Sequence, residues 1–202
     1  GKYQPGQHFQ KIHCERQGIG SLHRLLAFMT YLNDVEEGGS TFFNHYGLNI
    51  INCRFFNSFG PGEVPGQYRN VIPNFIYWSM LGKSLPITGE GNETRDFTYV
   101  LDLVQGLIKS AYYDNAIGKA FNLASGSETK IIEMVEMVNS ITNNKLPVTK
   151  YPPRKWDTKK RLLASIDLAN EIINYKPITK FSSGIKSNME WFNLNWDKII
   201  SS

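Results

Sequence analysis

Apolar and polar positions change rhythm several times along the chain. Residues 24–32 (RLLAFMTYL) form an apolar run suited to a buried strand. An acidic, glycine-ended turn follows at 33–39, and a second short strand is predicted at 40–43. Residues 48–56 alternate imperfectly and predict a strand, ended by the turn residues 57–62. Apolar residues at 71, 72, 75, 76, 78, 80 and 81 predict a helix over 71–81, with Pro73 tolerated in its first turn and Gly82 stopping it. Residues 85–87 read as a short strand and 89–92 as a turn. The spacing over 100–112 predicts a second helix, with Asp102 in its first turn, where negative charge is favoured. A strand at 120–124 and a break at 125–127 come next. They lead into the clearest amphipathic helix, 129–141, with Ile131, Met134, Val135 and Val138 on one side. Residues 147–153 are extended, and helices are predicted at 167–175 and 181–191. The order after residue 48 points to a mixed α/β fold.

Composition narrows the function classes. With 41% hydrophobic and 20% charged residues over 202 positions, the chain has the makings of a core rather than of a disordered segment. The formal net charge of +4 is spread out, and its densest run (Arg154, Lys155, Lys159, Lys160, Arg161) is too short for a nucleic-acid groove. A small anionic ligand such as a nucleotide suits it better. Cys14 and Cys53 have neither metal-type nor disulfide-framework spacing. No apolar run reaches the ~18 residues of a membrane span. The expectation is a cytoplasmic chain with no membrane or nucleic-acid partner. It opens on Gly1 in mid-pattern, which suggests a fragment or a trimmed chain.

Several segments then recur in a familiar order. They are Arg54 to Pro61 (RFFNSFGP), Val71 to Phe75 (VIPNF), Gly89 to Val100 (GEGNETRDFTYV) with Asp102, Phe121 to Gly126 (FNLASG), and Arg154 to Asp157 (RKWD). On these, residues 48 to about 196 resemble the extended short-chain dehydrogenase/reductase family, in particular UDP-galactose epimerases and related NAD-dependent epimerases and dehydratases. The resemblance implies a partial Rossmann-like α/β fold carrying the C-terminal nucleotide-sugar-binding subdomain, with a UDP-sugar as ligand. It assigns Arg95 to the nucleotide diphosphate, for which a guanidinium fork is well matched. Asn57, at the end of a strand, is a second candidate contact; its other reading is an Asx-turn fastening the Gly60-Pro61 corner. Arg154 resembles the family's late arginine, although Lys155 and Trp156 replace the usual Pro-Gly, and Asp157 keeps the acidic position suited to a ribose hydroxyl or to Arg154. Val71 and Phe75 match the segment that packs by the uracil, or are simply the apolar face of a helix. Asn122 either contacts the base or ends a strand. Asp96, Tyr99 and Asp102 read as braces and a helix cap.

The family also uses a Gly-x-x-Gly-x-x-Gly cradle for NAD and a Tyr-x-x-x-Lys pair for proton exchange. The glycine motif does not occur in the sequence, and Tyr3, Tyr31 and Tyr46 are not followed by a lysine four residues on. The expectation is therefore a nucleotide-sugar epimerase or dehydratase without its own catalytic pair. It would act as a homodimer or with a partner supplying the rest, or serve as a non-catalytic interaction fragment.

Residues 1–47 read differently. Tyr3 to Gln7, His13-Cys14-Glu15, and above all Tyr31 to Phe42 (YLNDVEEGGSTF) resemble prolyl 4-hydroxylase-like dioxygenases dependent on iron and 2-oxoglutarate. That resemblance implies a partial jelly-roll, β-rich fragment, with His13 and Glu15 as two members of an Fe(II) triad whose third ligand is missing. The two expected units are residues 1–47 and 48–202, joined near 45–50 as an apparent chimera.

Overall fold

The computed structural model describes residues 50–67, 69–153 and 159–201. The strands predicted within 1–47, His13 and Glu15, and Arg154 and Asp157 all lie outside them.

Five helices and eight short strands are present among the described residues. In chain order they are β1 (Asn52–Phe55), β2 (Ser58–Phe59), α1 (Val71–Met80), β3 (Pro86–Thr88), β4 (Thr94–Asp96), β5 (Thr98–Tyr99), α2 (Val100–Tyr112), β6 (Ala120–Leu123), β7 (Glu128–Lys130), α3 (Ile131–Thr142), β8 (Thr149–Tyr151), α4 (Asp167–Ile173) and α5 (Phe181–Ile200). A 3-10 turn at Asp114–Ala116 separates α2 from β6. The strands pair two by two. β1–β6, β2–β5 and β3–β8 are parallel, and β4–β7 is antiparallel.

Two apolar cores hold these pairs. Around β1–β6, Cys53, Phe121 and Leu123 pack with Ala169, Ile173 and Tyr175. The larger core gathers Ile72, Phe75 and Ile76 of α1, Met134, Val135 and Val138 of α3, and Ile185 and Phe192 of α5. Helical spacing explains the match, since each set lies on one face of its helix. At the seam, Phe59 meets Tyr99 edge-on (5.8 Å between ring centres) and Phe97 stacks on Phe181 (5.3 Å). Gly60 is required there. Its φ is +150°, and a Cβ would sit 2.5 Å from Val100 Cγ1, so only glycine lets the turn after β2 close on α2.

Asp102 does not cap its own helix. Buried at 5% exposure, it accepts the backbone N–H of Ile178 (3.2 Å) and of Thr179 (3.0 Å), fastening the entry to α5. Tyr175 is fully buried and donates its hydroxyl to the Ala124 carbonyl at 3.0 Å. Burial foremost, then the negative charges of Asp102 and Asp96, hold that hydroxyl well above its ordinary pKa of 10.0. The folded chain thus favours the neutral phenol. Its contribution is complete below pH 10.0 and is lost as rising pH ionises the unfolded chain. Tyr175→Phe is expected to cost about 1 kcal/mol near neutrality. It should also flatten the decline in stability above pH 10.0 relative to the parent, as urea melts across pH would show.

Candidate functional site: a cleft at the carboxyl ends of β3 and β8

Because β3 and β8 run parallel, both end on the same side, at Thr88 and Tyr151. A cleft of about 910 Å³ opens there. One wall is α1, through Val71, Asn74, Phe75 and Trp78; facing it are Asn57 to Phe59, Pro86 to Thr88, Glu93 and Arg95, with Tyr151 at the rim. Clefts beyond the carboxyl ends of strands are the usual ligand sites of open α/β sheets.

The loop leading into α1 is tied to it by side chains. Asn74 accepts the Gly66 N–H at 2.9 Å and donates to the Gly66 carbonyl at 3.0 Å, much as a paired strand residue would. Asn70 donates to Glu63 (3.0 Å) and to the Ser58 carbonyl (3.3 Å). These bonds fix the wall that carries Val71 and Arg69.

The opposite wall rests on Asp96. Its carboxylate is fully buried. It accepts the N–H (2.9 Å) and hydroxyl (2.6 Å) of Ser125 and the N–H groups of Gly126 (3.1 Å) and Ala164 (3.4 Å). The expectation that Asp96 braces the loop agrees with this geometry. Beside it, the half-buried Arg95 donates from Nη1 to the Thr94 carbonyl at 2.8 Å and reaches the cleft. The β4–β7 pair is clipped from outside, where Glu128 accepts Arg161 Nε (2.8 Å) and Nη2 (3.1 Å) and the Thr94 hydroxyl (2.9 Å). Those bonds, the Arg161 pair first, hold the Glu128 carboxyl below its usual pKa.

The structure brings four of the expected residues, Asn57, Val71, Phe75 and Arg95, to one cleft. They are not equivalent. Asn57 has a positive φ of 29°, a conformation asparagine tolerates, and donates its amide to the Asp96 carbonyl at 3.0 Å, so its Nδ2 is already engaged. Phe75 is 4% exposed and belongs to the core, which favours the helix-packing reading of that side chain. Asn122 is elsewhere. Its amide donates to the Ser165 carbonyl at 2.9 Å and tethers that loop to β6. The sequence reading missed Arg69, Trp78, Pro86 to Thr88, Glu93 and Tyr151, all of which line the cleft. Only Glu93 left a signal, as a member of the same Gly89 to Val100 segment that carries Arg95.

NAD is the cofactor of the resembled family. Among the described residues, no strand is joined to a helix by a Gly-x-x-Gly-x-x-Gly segment, the junction that cradles a pyrophosphate; the loop between β2 and α1 has glycines at 60, 62 and 66 and lacks that spacing. They do not fit the dinucleotide, and no step of hydride transfer is assigned to them. Nor do the described residues hold a cluster of three or more metal-ligating side chains. Among them, no helix is long and apolar enough to cross a membrane.

Comparison with known proteins follows this geometry. Residues 36–124 match the model of the NAD dependent epimerase/dehydratase family. An epimerase from Methanothermobacter thermautotrophicus is 51% identical and superposes with a TM-score of 0.78, over 80% of this chain and 48% of that one. The WbmF enzyme of Bordetella bronchiseptica, solved with NAD+ and UDP, is 31% identical with a TM-score of 0.69, over 79% and 50%. Among curated proteins, a UDP-N-acetyl-alpha-D-glucosaminuronate decarboxylase of Bacillus cytotoxicus is 29% identical over 72% of this chain and 47% of its own length. The chain spans about half the length of these relatives.

These matches overturn the chimera. The family match starts at Glu36, inside the proposed 1–47 fragment, and runs unbroken across the expected join at 45–50. It overlaps the Tyr31 to Phe42 wording on which the dioxygenase resemblance leaned, and one segment cannot serve two folds. A continuous Rossmann-like α/β epimerase fold replaces the partial fold preceded by a β-rich dioxygenase-like fragment. The iron and 2-oxoglutarate expected of that fragment lose their basis with it. Over residues 36–124 this chain matches the NAD dependent epimerase/dehydratase family, and it shares its fold with solved relatives of that kind.

Proposed function

We propose that the chain binds a nucleoside-diphosphate sugar, with UDP as the nucleotide, in the cleft between α1 and the β3–β8 pair. The observation that carries this is the arrival of Arg95, Asn57 and Val71 on one cleft of nucleotide-sugar size. Among the described residues, the charged ones lining it are Arg69, Arg95 and Glu93, a net positive set suited to a diphosphate. Arg95 supplies a planar fork for the phosphate oxygens, at a half-buried position where charge is screened less than in open water. Val71 and Trp78, both partly exposed, offer an apolar face to the base. Relatives support the ligand class: WbmF was solved with UDP, and a UDP-glucose 4-epimerase of Thermotoga maritima, 25% identical, was solved with UDP-glucose. Epimerase or dehydratase turnover needs NAD and a proton-transfer pair, so the reading here concerns binding.

Isothermal titration of the folded chain with UDP tests it. Saturable heat at up to millimolar UDP, weakening as salt is raised, is expected. A chain shown to be folded that gives no saturable heat would refute it.

A further inference from the structure

We draw no further inference here: the strongest candidate, the exposed apolar face of α2 that carries Leu101, Val104, Ile108 and Tyr112, carries nothing further, because nothing among the described residues shows what covers it.

Discussion

Replacing Asp96 by alanine should destabilise the protein by about 3–5 kcal/mol, the range for breaking a buried charged network from one side. Three backbone N–H groups, from Ser125, Gly126 and Ala164, and the Ser125 hydroxyl converge on that carboxylate. With alanine the three N–H groups lose an acceptor in a place water does not reach, since Asp96 is 0% exposed. Asp96→Asn keeps the shape and one acceptor oxygen but turns an N–H₂ toward donors, so an intermediate loss is expected. Urea unfolding measures both. A loss below about 1 kcal/mol for the alanine variant would mean that the surrounding backbone re-pairs without it. The damage should also reach ligand binding, because Asp96 ends the strand that carries Arg95.

Arg95→Ala should lower UDP affinity about ten- to a hundredfold, the loss of a charge-assisted, forked contact worth ~1.5–3 kcal/mol. Fold stability should fall by less, about 1 kcal/mol, the worth of a bond such as that from the guanidinium to the Thr94 carbonyl. Arg95→Lys separates charge from geometry. It keeps the cation but loses the fork, and should recover a minor part of the affinity. Titration with UDP beside a melting curve reads both quantities. If Arg95→Ala binds UDP as the parent does, the diphosphate lies elsewhere in the cleft.

How much of this was legible in the sequence depends on which force defines each element. Helices with one apolar stripe were visible. The spacing over 100–112 coincides with α2, and the pattern over 129–141 lies within two residues of α3. α5 runs on to Ile200 rather than ending at Trp191. Its buried positions Ile185, Asn188, Phe192 and Ile199 keep helical spacing, but Asn188, Asn193 and Asn195 blur it in sequence. The short strands were not visible. β4 (Thr94–Asp96) and β7 (Glu128–Lys130) are polar three-residue segments with no periodicity of their own; each is a strand because the other is beside it.

The site follows the same division. Arg95 could be located from its motif, and its brace Asp96 from being next to it. Phe75 carried a ligand reading that its 4% exposure turns toward packing, and Asn122 carried one that its bond to Ser165 turns toward a tether. Periodicity reports which face of a helix is apolar, and cannot report whether that face meets a base or a neighbouring helix. Tyr151 reaches the cleft beside Thr88 through the pairing of β3 with β8. The chimera reading failed for a related reason. The dioxygenase resemblance rests on short pieces, Tyr3 to Gln7, His13 to Glu15 and above all Tyr31 to Phe42, whereas the family match spans 36–124 and is judged over its whole length.

The strand pairing has a consequence for the order in which the molecule is made. Every strand finds its partner far along the chain: Asn52 with Ala120, Ser58 with Thr98, Pro86 with Thr149, Thr94 with Lys130. Distant pairings pay their loop-closure entropy before any ladder bond rewards it, which makes folding slow and back-loaded. During synthesis Arg95 leaves the ribosome well before Tyr151, and β3 waits alone until β8 appears. The cleft is therefore among the last features to assemble, and a nascent chain stalled short of β8 has Arg95 but no completed cleft to present it in.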